Sequence, residues 1–110
     1  MVIQDISADD TELMAEVVKE FIKCVPAYMG ELDAAVGDQD FTKVKFVAHK
    51  LKGSSRFIGA EGLASLLQQI ELSSDQAGEV HQVPGCLAHV HQIIPPLMEE
   101  VNEFYGVLTR

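Results

Sequence analysis

Within Ala48-His49-Lys50-Leu51-Lys52-Gly53-Ser54-Ser55 a histidine stands among cations, with no acid close by in sequence. Wound as a helix at about 100° per residue, the surrounding segment places Thr42, Lys45, His49, Lys52, Gly53 and Arg56 on one stripe. Val44, Val47, Ala48, Leu51, Ser55 and Ile58 fall on the opposite side. The imidazole therefore sits at the centre of a polar face, with Lys45 and Lys52 one turn away on either side and Arg56 two turns on. A nitrogen nucleophile flanked by cations is suited to accept and hold a phosphoryl group, whose transfer needs positioning and charge neutralisation above all. Gly53 costs the helix about 1 kcal/mol relative to alanine. One turn after His49, it is expected to remove a side chain that would crowd the ring and to open a lane for a partner.

Charge is distributed unevenly around this segment. The chain of 110 residues carries a formal net charge of −9, yet five of its eight basic residues, Lys43, Lys45, Lys50, Lys52 and Arg56, lie between positions 41 and 60, where there is no Asp or Glu. The acidic total argues against a nucleic-acid partner, which demands a basic footprint. The local basic patch suits an anionic partner site and a bound phosphate.

The stretch His49-x-Leu51-Lys52-Gly53-Ser54-Ser55, followed by Gly59-Ala60, Leu63, Leu66 and Glu71, resembles the core motif of histidine-containing phosphotransfer (HPt) domains. The resemblance implies a phosphoprotein of two-component signal transduction. It would accept a phosphoryl group on His49 from a receiver-domain aspartyl phosphate and pass it to another receiver aspartate in a multistep phosphorelay. Response-regulator receiver domains, a hybrid sensor histidine kinase, or both are the partners it implies. It also implies a phosphocarrier without kinase activity of its own, with any Mg²⁺ held by the receiver. The residues agree on that point: the chain has no glycine-rich phosphate loop and no clustered carboxylates beside His49, so neither a cofactor nor a metal site is expected.

The elements that must position His49 follow from the apolar spacing. Ser7-Ala8-Asp9-Asp10 reads as a helix start, and Leu13, Val17, Phe21 and Cys24 recur at helical spacing to about Val25, where Pro26 either kinks the helix or begins a second. Tyr28, Leu32, Ala35 and Val36 continue to a stop at Gly37-Asp38. Asp40 caps the helix that carries His49 and Gly59 ends it. The next helix starts near Ala60 with Leu63, Leu66, Leu67 and Ile70 on its apolar face. Residues 73–85, with Pro84-Gly85, read as a frayed end and a loop. Leu87, Val90, Ile94, Leu97, Val101, Phe104 and Leu108 define the last helix, with a kink or restart at Pro95-Pro96. No stretch alternates as a strand. Successive helices with short connections favour an all-α, up-and-down antiparallel four-helix bundle. The family resemblance adds a short N-terminal helix beside it.

A hairpin about Gly59-Ala60 brings residues equally far from the turn to similar height. His49 lies eleven residues before Ala60 and Glu71 eleven after. The Glu71 carboxylate can then accept the Nδ1–H of the imidazole and fix the tautomer whose Nε2 is unprotonated and outward. Gln68, one turn earlier, is the alternative orienting group. Lys52 is the first candidate to neutralise a phosphate, with Lys45 and Arg56 behind it. Phe46 and Phe57, roughly 60° to 80° around the helix from His49, either form the apolar part of a docking surface or pack on neighbouring helices. Ser54 and Ser55 read as small residues that let helices approach.

One domain spanning residues 1–110 is expected from the length. With no apolar run near 18 residues and no basic-then-apolar leader, the chain is read as cytoplasmic, without a membrane span. Cys24 and Cys86 read as small buried hydrophobes without a redox role, and His81, His89 and His91 as surface histidines. A monomer is expected. The competing reading is a non-catalytic helical interaction module whose basic face binds an acidic partner without phosphotransfer.

Overall fold

The computed structural model describes residues 11–76 and 78–109. Four α-helices make up nearly all of it: α1 (Thr11–Gly37), α2 (Phe41–Phe57), α3 (Glu61–Ser74) and α4 (Val83–Leu108), with a 3₁₀ turn at Val80–Gln82 before α4. Consecutive helices pack on each other and α1 closes the ring against α4, giving the up-and-down bundle that the apolar spacing predicts. No strand occurs among the described residues.

α1 runs unbroken through Pro26 for 27 residues, so of the two alternatives at that proline, a restart as a second helix is excluded. A separate short N-terminal helix is therefore not an element of the described chain, and the expected start at Ser7 to Asp10 lies outside the described residues. Continuity has a cost that solvent meets: Pro26 is exposed, and the hydrogen bond it forfeits is a single one at the surface. It also moves the buried stripe. One face must serve both halves of the helix, and Val18, Phe21, Val25, Met29, Leu32 and Ala35 supply it. Of the expected first-half positions only Phe21 is buried; Val17 and Cys24 are half-buried and Leu13 is exposed.

α2 follows its pattern closely. Val44, Val47, Ala48, Leu51 and Ser55 are buried, and the Ser55 hydroxyl is satisfied by the Leu51 carbonyl at 2.7 Å. Asp40 caps the helix, accepting from the Lys43 backbone N–H at 3.3 Å. Gly59, at φ 83°, supplies the left-handed residue that ends it: its N–H bonds to the Arg56 carbonyl and that of Ala60 to the Ser55 carbonyl. The same pair of bonds ends α1, from Gln39 to Val36 and from Asp40 to Ala35. There the left-handed position falls to Gln39 (φ 55°), two residues beyond the glycine the sequence offers as a stop.

α4 begins at Val83, earlier than its apolar spacing suggests. Pro84 fits in the first turn, where a missing N–H costs nothing, and fully buried Val83 anchors the start. Pro84 and Gly85 therefore belong to the helix and not to the loop. Pro95 and Pro96 lie inside α4 without ending it. The carbonyls they leave without donors belong to His91 and Gln92, both exposed, where water can serve them.

Because α2 and α3 are shorter than the outer pair, α1 and α4 run past the turn at Gly59. Met14, Phe104, Tyr105 and Leu108 are only partly buried there, and Leu13 and Val107 are exposed.

Candidate functional site

α2 and α3 position the site as a hairpin. α2 turns its apolar face to Leu63, Leu67 and Ile70 of α3, and the polar stripe of α2 is left to solvent. His49 accordingly stands out from the surface, its side chain 69 % exposed. Its Nδ1 lies 3.0 Å from Glu71 Oε1. A carboxylate can only accept, so Nδ1 carries the hydrogen in this bond and Nε2 is left with its lone pair on the outer side.

The same Glu71 oxygen receives the Lys52 ammonium at 2.9 Å. Lys52 and Glu71 are largely covered, with side chains 12 % and 16 % exposed. Burial by itself pushes the Glu71 carboxyl up, but the hydrogen bonds from Lys52 and His49 and the positive charge of Lys52 outweigh it and hold the group below its ordinary value. The carboxylate is thus charged at neutral pH and able to orient the ring.

Three of the four remaining cations of α2 also have partners. Lys45 pairs with Asp75 at 2.7 Å. Arg56 donates to Gln68 Oε1 at 2.5 Å, so Gln68 engages Arg56 while Glu71 meets His49. Lys50 lies 4.4 Å above the centre of the Phe46 ring. Phe46 and Phe57 are 59 % and 64 % exposed, so most of each ring is left uncovered by neighbouring helices. Thr42, Lys45, Phe46, His49 and Glu71 line one shallow groove. Phe57 and Ser54 border another with Val17, Phe21, Cys24 and Tyr28 of α1.

Gly53 differs from expectation in one respect. A Cβ built there would meet no atom within 4 Å, so an alanine methyl would not press on the imidazole. The helix cost of this glycine is not repaid inside the chain, and the space above it is open to whatever approaches. Ser54 and Ser55 both turn back to carbonyls of their own helix, Lys50 and Leu51.

The cysteines are free and half-buried, less enclosed than expected. Cys24 Sγ lies 3.7 Å from a Glu20 carboxylate oxygen and Cys86 Sγ 3.6 Å from Gln69 Oε1. His91 bonds Asp33 across α4 and α1 at 2.7 Å. No group of three or more His, Cys, Asp or Glu among the described residues is arranged to hold a metal ion, and no described helix is long and apolar enough to cross a membrane.

Besides Lys52 with Glu71 and Arg56 with Gln68, two further pairings escaped the sequence reading, Lys45 with Asp75 and His91 with Asp33. The first was within reach of the count that found Glu71: Lys45 is fifteen residues before Ala60 and Asp75 fifteen after. The second depends on how α1 and α4 are rotated, which no local count supplies.

The model of the Hpt domain family matches residues 16–102, a span that holds every residue of the site. No curated protein and no solved structure matches the chain. With an exposed imidazole bonded to a carboxylate of the next helix of a four-helix bundle, and with that match over most of its length, the chain belongs to the Hpt domain family, the histidine phosphotransfer domains of phosphorelays.

Proposed function

We propose that this chain is a phosphocarrier in which His49 Nε2 takes a phosphoryl group from the aspartyl phosphate of one receiver domain and gives it to the aspartate of another. The observation that carries this reading is the exposed imidazole whose Nδ1 is held at 3.0 Å by Glu71, leaving Nε2 outward.

In the forward step the Nε2 lone pair attacks phosphorus in line, the N–P bond forms, and the aspartate carboxylate leaves with the electrons of the O–P bond. The Nδ1 proton stays on the hydrogen bond to Glu71, where the carboxylate offsets the charge of the phosphorylated ring. Lys52, sharing that carboxylate, is the first candidate to neutralise the phosphate. Arg56 keeps its full charge because its partner is a neutral amide; it and Lys45 face the anionic pocket of the receiver. Phe46, Phe57 and the open space at Gly53 form the apolar part of the docking face. Mg²⁺ belongs to the receiver and the chain itself needs no cofactor and has no kinase activity. It works as a cytoplasmic monomer between receivers, one of which can belong to a hybrid sensor histidine kinase.

The test is intact-mass analysis after mixing the chain with phosphorylated receiver domains, with phosphoramidate as a small donor. An acid-labile gain of one phosphoryl group is expected in the wild type and not in His49→Gln, whose helical circular dichroism is unchanged. No gain from any donor would instead favour a module that binds an acidic partner without transfer.

A further inference from the structure

The second lysine beside His49 is also held by a carboxylate. Lys45 lies one turn before the imidazole, and its Nζ meets both carboxylate oxygens of Asp75, at 2.8 and 2.7 Å. Asp75 is the C-cap residue of α3, one turn beyond Glu71. α2 has no acid of its own, so both carboxylates that meet its lysines come from the far end of α3, one on each side of His49. Lys45 lines the same groove as His49 and Glu71, whereas Asp75 does not. Both members of the pair are about half exposed, at 44 % and 51 %, and such an ion pair contributes little to the stability of a fold. Its effect is on the potential in the groove.

We propose that Asp75 is a positioning residue that sets how firmly a phosphoryl group is held at His49, by keeping the Lys45 ammonium away from it. This rests on the phosphocarrier reading. Lys45, Lys52, Glu71 and Asp75 together carry no net charge, so a phosphoryl group arriving on Nε2 makes the groove negative. It can draw Lys45 close only by detaching it from Asp75. The clamp therefore raises the energy of the phosphohistidine relative to one with a free lysine and favours onward transfer to an aspartate. No bond other than N–P and O–P is made or broken, and no further reactant is needed.

The experiment equilibrates the chain with a phosphorylated receiver domain and reads the fraction of phosphoryl group on His49, for wild type, Asp75→Asn, Asp75→Glu, Lys45→Gln and the Asp75→Asn/Lys45→Gln pair. Asp75→Asn should shift the equilibrium toward His49 by about two- to fivefold, the scale of one charge acting across a solvated groove. Asp75→Glu should restore the wild-type value. In the Lys45→Gln background the rise should shrink to less than half on a logarithmic scale. An unchanged or lower equilibrium constant in Asp75→Asn overturns the inference, and so does an equal rise with and without Lys45, which would mean that the carboxylate acts by bulk charge alone. If Asp75→Asn does not fold, Lys45→Gln decides: it should lower the equilibrium constant, and no change overturns the inference. A wild type that no receiver and no phosphoramidate labels would bring down the phosphocarrier reading and this inference with it. A wild type that is labelled beside an indifferent Asp75→Asn removes only this inference.

Discussion

The shared oxygen of Glu71 makes this residue responsible for two neighbours at once, and its ionisation has a stability consequence. Its carboxyl is held low in the folded chain by Lys52 and His49 against the opposing effect of burial. A carboxyl whose folded value lies below its unfolded one stabilises the fold above the unfolded value, near 4.5, and loses that contribution as pH falls through the folded value. The urea midpoint of the wild type should therefore fall more steeply below pH 4.5 than that of Glu71→Gln. Parallel curves for the two proteins would show that Glu71 is not the group concerned. Gly53 makes a prediction of the opposite kind. With nothing near its missing side chain, Gly53→Ala should stabilise the helix by about 0.5–1 kcal/mol, read as a higher denaturation midpoint. If the proposed docking face includes this open space, transfer from a phosphorylated receiver should slow in the same variant. A variant that is both more stable and as fast would show that the glycine serves no partner.

Helix ends decide the geometry at the level of elements. α1 and α2 both close with a left-handed residue, but only α2 has glycine there. Gln39→Gly should relieve the strain at the end of α1 and stabilise the chain by about 0.5–1 kcal/mol in chemical denaturation; a loss of stability would mean that the Gln39 side chain contributes more than its backbone costs. The helices themselves were legible where a cap or a glycine coincides with a change in apolar spacing, as at Asp40 and Gly59. At Pro26 and Pro95-Pro96 the spacing left a kink or a restart open, and at Pro84 it ended the loop too late. Pro26, Pro84, Pro95 and Pro96 all lie within helices, because each gives up its hydrogen bond either in a first turn or on an exposed face. Sequence shows where proline is but not which side of the helix faces water. The site was more legible than the fold: the His49–Glu71 pairing follows from counting residues about one turn, whereas the partners of Lys45 and His91 needed a second application of that count or the rotation of a distant helix.

Length is unequal across the whole molecule. α1 and α4 have 27 and 26 residues, α2 and α3 have 17 and 14, so the outer pair continues as two helices past the turn at Gly59. Packing there is one-sided. Local opening should accordingly be easiest at that end: in hydrogen exchange, amides in 102–108 are expected to exchange well before those of 44–56 and 63–70. Uniform protection along α4 would mean that the overhang is as firmly held as the four-helix part. The site lies in the better-packed region, which suits a group that must present one nitrogen in a fixed direction.

The turn at Gly59 and Ala60 also works as a ruler. His49 and Glu71 meet because eleven residues lie on each side of Ala60, and Lys45 meets Asp75 on the same count. One residue inserted or deleted in α3 ahead of Glu71 would swing that carboxylate through about 100° and shift it by about 1.5 Å along the axis. An error of that kind would turn Ile70 and Ser73 out of the core along with the carboxylate, so it would cost the bundle stability as well as leave the imidazole unguided. The spacing between His49 and Glu71 is therefore a fixed length on which their contact depends.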